Sequence, residues 1–563
     1  MPEKWDGRDT FHIGINMAGA VSAGAYTAGV LDFFMEALEQ WYAVKAAGNP
    51  AVPQHDVSID VFSGASAGGM CAAIAAVMVQ GDFQHIDKPS DPAVANTTNK
   101  FYESWVNKID IQPLLQADDL ANGKPVISLL DSTIIDQIAD YAIVPVAGVA
   151  RPYISKSLTL FLTVTNVRGV PFSLNGNAPG SAEEDIAYFA DRLQFETVNG
   201  GPPIESPVAW PLPIGQNGGS WALLKEAAKA TGAFPIFLAP RQLDRVAREY
   251  TGAPWGPISA PPDLVPPHWP LQETDAFRTL NVDGGVTDND PFELAHDFLA
   301  VHNPLAGVDA GTGELRNPSG ADQANCAVLT VAPFPAYALY DAKYDFAGNS
   351  GVMGMLPNLF NVLISQSRFS GETLDAVMSG ESFSRFVLAP SDADNPNKAA
   401  LQCGSLGAFG GFFERGFRAH DYQLGRRNCQ KFLRDCFRLA ESNPIIAGGL
   451  NHLDAASRAK VAADFGSVQN GVATMPVIPL CGSAVAEVPS PARAAITQAR
   501  LDNVVKWSVN RLQAVAKRLL AAALGSSVEN VAVREAADLL IATWGKSKLK
   551  QALQKELGDV ISG

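Results

Sequence analysis

Short apolar runs rich in β-branched residues recur along the first 340 residues: FHIGINM at 11–17, VSIDVF at 57–62, SLTLFLTVTNV at 157–167, RTLNV at 278–282 and CAVLTVAP at 326–333. A strand that is apolar at consecutive positions is buried on both faces. Helical spacing of apolar residues fills the gaps, at about 22–40, 66–80, 98–109, 126–141, 221–231 and 291–302. Strands alternating with helices predict an α/β fold of three layers, a mostly parallel sheet with helices on each side.

Two segments break this rhythm with prolines, GGPPIESPVAWPLPIG (200–215) and APWGPISAPPDLVPPHWPL (253–271). Dense proline excludes helix and central strand, so both read as surface loops or as lids whose Trp210, Trp255 and Trp269 touch lipid. After about 345 the pattern turns helical, dividing the chain into an α/β region (1–345) and a mostly helical region (346–563). In the tail, Ser490-Pro491 reads as a helix start, and Gly525-Ser526 with Glu529 as a stop followed by a new cap. Leu549, Leu553 and Leu557 recur every four residues in a mildly basic stretch, an amphipathic helix that packs on its own domain or lies on a membrane.

The chemistry gathers at three places. Gly64-Ala65-Ser66-Ala67-Gly68 follows an apolar strand and opens the apolar helix AGGMCAAIAAVMV. That is the context in which G-x-S-x-G forms a sharp turn exposing its serine beside a helix N-terminus. A serine hydroxyl needs a base within hydrogen-bond reach. A histidine in the order of an α/β-hydrolase triad would be His296, His302, His420 or His452, none of them on an obvious loop after a strand. The other candidate lies in LNVDGGVTDNDPFELA (280–295), where Asp283 ends a strand, Gly284-Gly285 permit a sharp turn, and Asp290, Pro291 and Glu293 begin a helix. Ahead of both, FHIGINM runs into AGAVSAGAYTAGVLDFF (18–34), a small-residue loop whose backbone N–H groups suit an oxyanion.

These three pieces, in this order, resemble the patatin-like phospholipase family, and specifically a divergent bacterial branch of it. The resemblance implies a patatin-like α/β/α fold and a lipid acyl hydrolase working through a Ser-Asp dyad without histidine. By it, Ser66 is the nucleophile and Asp283 the base. Backbone N–H groups of Gly19, Ala20 and Val21 form the oxyanion hole, and Gly64, Gly68, Gly284, Gly285 and Asn289 support the turns. The family loop G-G-G-x-Arg/Lys-G is here Gly19-Ala20-Val21-Ser22-Ala23-Gly24, without two glycines and the basic residue. That departure leaves a second reading open, a hydrolase-derived scaffold that binds lipid or protein without turnover. FLTVTNVRG (161–169) and HDYQLGRRN (420–428) also resemble that branch, with Arg426 and Arg427 read as helix-surface partners. A base for the serine should sit in a water-poor cleft that raises its pKa.

Composition narrows the partners. Forty-two Lys and Arg against 58 Asp and Glu give a net charge of −16, which repels nucleic acid and anionic membranes. Six cysteines without a C-x-x-C pair fit a reducing compartment. The absence of a basic-then-apolar leader and of a spanning apolar run gives the expectation of a cytoplasmic protein, with peripheral contact with a membrane as an open reading. No metal or cofactor is called for: H-x-x-H, EF-hand and P-loop spacings are missing.

Overall fold

The computed structural model describes residues 5, 10–87, 97–146, 148–174, 184–198, 202–203, 208–251, 267–310, 313, 315–334, 346, 382–524, 546–557 and 561–562. Its centre is a nine-stranded, mostly parallel sheet. The strands are β1 (Thr10–Met17), β2 (Asp56–Gly64), β3 (Ile154–Leu174), β4 (Glu184–Val198), β5 (Trp210–Pro213), β6 (Arg241–Val246), β7 (Ala276–Asp283), β8 (Cys326–Val331) and β9 (Arg385–Leu388). The parallel core runs in the order β9, β8, β1, β2, β3. Beyond it β4 and β7 pair antiparallel with β3, β6 pairs antiparallel with β7, and β5 adds parallel to β4 at the edge.

Alternation along the strands divides the core between the sheet's faces. Ile13, Ile15, Ile59, Phe62, Ala327 and Leu329 face one side, with helices α1 (Gly24–Ala46) and α2 (Ser66–Met78). Val61, Phe161, Cys326 and Val328 face the other, against α5 (Phe292–His302). On the first side lie also α3 (Thr133–Ala142), α4 (Trp221–Thr231) and α6 (Arg415–Asp435). Every residue of α1 from Gly24 through Leu38 is buried, so this helix is apolar nearly all round and needs cover on its outer side as well. That cover is α6: Gly29 abuts the Tyr422 carbonyl and Gly425 abuts the Tyr26 carbonyl, approaches that leave no room for a Cβ. The chain beyond 345 thus returns to the sheet as β9 and to the helical layer as α6.

Several boundaries differ from the sequence reading. Helix 126–141 is only Thr133–Ala142, because Leu129 and Leu130 donate to the carbonyls of Ile236 and Phe237 instead of continuing a helix. Helix 98–109 is one α-turn followed by a π-helical stretch, Glu103–Lys108. Ser490-Pro491 does not start a helix. Arg493 is tied to Asp392 and Ala494 to Gln402, which holds that stretch extended until α7 (Gln498–Leu524) begins. The proline-rich Trp210–Pro213 is the edge strand β5, a position that tolerates proline. Trp269 packs on Tyr250 and Phe277, whereas Trp255 and the cap at 525–529 lie outside the described residues. In α8 (Lys546–Leu557) Leu553 and Leu557 are buried in the protein's own core and Leu549 packs against it. Among the described residues no helix is long and apolar enough to cross a membrane.

Candidate active site

Sheet topology explains how two side chains 217 positions apart come together. On one edge of β3, β2 runs parallel and stops with Gly64 beside Leu162. On the same edge β7 arrives antiparallel and stops with Asp283 beside Val164. Two strands of opposite direction therefore end nose to nose across Thr163, about 7 Å of strand apart. The turn after β2 carries Ser66 and the end of β7 carries Asp283.

Ser66 has φ +52°, a left-handed conformation unusual for a non-glycine residue, and stands at the first position of α2 after an extended Ala65. Its N–H donates to Thr231 Oγ1 at 2.8 Å, which fixes the turn from α4. Gly68 lies so close to the Met17 carbonyl that a Cβ there would overlap it, so the serine turn is pressed against the end of β1. The Ser66 hydroxyl donates to Asp283 Oδ2 at 2.7 Å, while the Gly285 N–H donates to Oδ1 at 2.8 Å. Both residues are buried, at 7% and 3% exposure. Burial raises the Asp283 carboxyl to about 7, although the hydrogen bonds from Ser66 and Gly285 pull the other way.

Two threonines that sequence reading left without a role hold the turn that carries Asp283. Thr165 donates to the Asp283 carbonyl at 2.9 Å, and Thr163 to the Asp288 carbonyl at 3.0 Å. Gly284 lies against the Thr163 carbonyl with no space for a side chain. The signal was present in TVTNV, a run of polar residues every second position in an otherwise apolar strand, which marks a polar stripe on a buried face. Thr231 had no such signal, since only the fold brings the end of α4 to the serine.

The loop after β1 lies beside this pair. The Gly19 N–H donates to the Asn289 carbonyl at 3.0 Å and is already used, so it is not an available oxyanion donor. Ser22 N–H donates to the Ala408 carbonyl. Between them, Ala20 and Val21 keep N–H groups with no protein acceptor among the described residues. Val21 has φ +49°, costly for a β-branched residue, and its side chain lines the same cleft as Ser66. The Asn289 side chain wedges between Gly19 and Gly285, each of which would overlap it if it bore a Cβ, and a Cβ on Gly19 would also lie 3.1 Å from Ser66 Cβ. Asn289 Nδ2 is buried and has no partner among the described residues.

Ser66 and Asp283 open into an apolar cleft. Met70 and Ile74 of α2, Ile135 and Ile138 of α3, and Trp105 and Leu114 of the segment between them form its walls. The cation in that lining, Lys229, is paired with Asp136 at 3.0 Å and Glu226 at 2.7 Å. Among the described residues, the cleft therefore offers an apolar surface and no unpaired cation. No histidine lines it: His296 bonds Asp297, His302 the Phe298 carbonyl, and His420 the Asp421 carboxylate. Arg426 corrects the surface reading of HDYQLGRRN, for it is 2% exposed and pairs with Asp32 and Glu36 of α1.

A family model described as patatin-like phospholipase matches residues 16–296, from the end of β1 to the helix after Asp283. An uncharacterized protein, y4iI, from Sinorhizobium fredii is 33% identical over 561 residues, covering 91% of this chain and 76% of its own. Among solved structures, VipD from Legionella pneumophila aligns over 98% of this chain and 92% of its own at 11% identity, with a TM-score of 0.23. With the matched span carrying the small-residue loop, the serine turn and the Asp-Gly-Gly turn, the chain belongs to the patatin-like phospholipase family.

Proposed function

We propose that the protein hydrolyses carboxylic esters of lipids, with Ser66 as nucleophile and Asp283 as general base. The observation that carries this reading is the 2.7 Å Ser66–Asp283 hydrogen bond at one end of an apolar cleft. Ser66 Oγ attacks the ester carbonyl carbon as its proton passes to Asp283 Oδ2, and the carbonyl oxygen becomes an oxyanion facing the N–H groups of Ala20 and Val21. Collapse expels the alcohol, which takes the proton from Asp283, and leaves the acyl group on Ser66. Water then attacks the acyl carbon, giving its proton to Asp283, and the free acid departs as Ser66 recovers a proton. A carboxyl at about 7 is a far better match for a serine proton than one at its ordinary value. The apolar cleft supports the acyl chain as the part of the substrate that is bound.

A fluorophosphonate probe tests the reading directly. Labelling of the wild type that disappears in Ser66→Ala, together with hydrolysis of p-nitrophenyl esters or phospholipids, is the expected result. Labelling that persists in Ser66→Ala would move the nucleophile elsewhere. A folded wild type that neither labels nor hydrolyses any ester of the panel would leave a binding scaffold in place of the enzyme.

A further inference from the structure

The mouth of the cleft is framed by three uncharged segments. In GAFPIFL (232–238), Phe234 and Leu238 line the cleft, whereas Ile236 and Phe237 between them face outward at 60% and 39% exposure. In GSLGAFGGF (404–412), Phe409 and Phe412 line it. In VISLL (126–130), Leu130 lines it and Ile127 is 58% exposed. The third segment is stitched to the first, with Leu129 N–H donating to the Ile236 carbonyl at 2.8 Å and Leu130 N–H to the Phe237 carbonyl at 2.9 Å. Phe234, Phe237 and Phe409 lie within 5.9 Å of one another by ring centroid, and Phe412 is 5.8 Å from Phe409. One apolar surface thus continues from the cleft wall out to solvent.

Two further features mark this surface as more than loosely packed loop. Ile236, Leu406 and Ala408 have φ of +70°, +55° and +74°, so non-glycine residues hold left-handed backbone on both sides of the mouth. Strain of this kind concentrates at functional sites. An isoleucine held in that conformation and pointed at water gains nothing from the fold. The segments also contain no Asp, Glu, Lys or Arg in a chain that is 18% charged.

We propose that Ile127, Ile236 and Phe237 form a docking surface for a neutral or zwitterionic lipid surface, seating the cleft mouth on it so that an acyl chain reaches Ser66 without crossing water. The proposal rests on the ester-hydrolase reading for what the cleft receives. Continuity with the cleft argues for lipid as the occupant, because a chain leaving a bilayer here meets apolar side chains all the way. The lack of Lys and Arg within these three segments and the net charge of −16 argue against an anionic surface.

The test is co-flotation of the full chain with phosphatidylcholine vesicles, with and without added phosphatidylglycerol, in parallel with hydrolysis of a monomeric short-chain p-nitrophenyl ester. The variant is Ile127→Ser with Ile236→Asn, since asparagine accepts the left-handed backbone and neither side chain lines the cleft. The wild type and Ser66→Ala are expected to float equally, with binding weakened by phosphatidylglycerol. The double variant is expected to bind phosphatidylcholine at least about tenfold less, from two lost isoleucine contacts, while its ester rate stays within about twofold. Should the double variant not fold, Ile127→Ser alone is read in the same way for an intermediate loss. A wild type that does not float, or a folded variant that floats as well as the wild type, overturns the proposal. So does a wild-type dimer that the variant breaks without vesicle binding by either, which would give the surface to a second copy. Flotation as expected with no ester hydrolysis by the wild type would sink the catalytic reading and leave the docking surface standing.

Discussion

Burial sets both the use and the cost of Asp283. Its carboxyl, raised to about 7, is ionised and able to accept the serine proton only as the pH climbs through that value. The kcat/KM for ester hydrolysis is therefore expected to rise with pH and level off above about 7, and a profile flat from pH 5 to 8 would exclude Asp283 as the base. Stability runs in the opposite sense. The folded state holds this proton more tightly than the unfolded chain, so the group's contribution falls as pH rises from about 4 to about 7. Asp283→Asn removes the buried charge while keeping the shape. It is expected to lower turnover by about 100- to 10,000-fold, the usual worth of a general base, and to raise Tm at pH 8. A second residue test concerns Val21, whose left-handed φ would suit glycine. Val21→Gly keeps the N–H in place and relieves the left-handed backbone, so it is expected to retain hydrolysis within about threefold without lowering Tm, and a larger loss in the folded variant would tie the Val21 side chain to the reaction.

At the scale of elements, the site depends on β2 and β7 ending on one edge of β3, and Thr165 fastens the second of these ends. Thr165→Val is expected to lower kcat more than it raises KM, because it loosens the carbonyl of Asp283 without touching the cleft wall. Equal activity of the variant would remove the threonine from the machinery. Much of this region was legible in the sequence. The serine turn announces itself because strand, small residues and apolar helix follow within twenty positions, and Asp283 because a strand runs straight into two glycines. The antiparallel β4 and β6 and the parallel β9 were missed, since their charged and aromatic residues carry no clean alternation and their pairing is set by distant partners. Ser490-Pro491 misled for a similar reason: a local cap signal lost to tertiary hydrogen bonds that hold the chain extended. The helix that forms further on, α7, brings Arg511 to the chain segments flanking the cleft-lining Leu114 and Leu130, where it donates to the carbonyls of Leu129, Gln116 and Ser128 and pairs with Asp119. Arg511→Ala leaves those acceptors unpaired and is expected to cost about 3–5 kcal/mol, read by denaturant unfolding, while exposing 110–131 to protease.

For the whole molecule, the decisive contact is between α1, which follows the candidate oxyanion loop, and α6, which lies nearly 400 positions further on. Composition places a boundary near 345, but Gly24 through Leu38 of α1 are all buried, and α6, from beyond that point, covers its outer side. A buried charge cluster fastens the two helices: Arg426 of α6 reaches Asp32 and Glu36 of α1, and His85 bridges Asp32 at 2.8 Å and Glu39 at 3.0 Å. Burial would raise the Asp32 carboxyl, yet Arg426 and His85 hold it well below the usual range; burial would lower His85, yet Asp32 and Glu39 lift it to about 10. By linkage, the Asp32 contribution is lost only as pH falls below about 4 and the His85 contribution only as pH rises from about 6.5 toward 10, so the fastening is whole across the interval between. A chain cut after 345 loses Arg426, the helix that covers α1 and the edge strand β9 together. It is expected to be insoluble or to melt without a cooperative transition, and to bind no fluorophosphonate, whereas co-expression of 1–345 with 346–563 restores labelling at Ser66. If the 1–345 fragment alone folds cooperatively and labels at the wild-type rate, the helical region is an appendage and the α1–α6 contact is dispensable to the site.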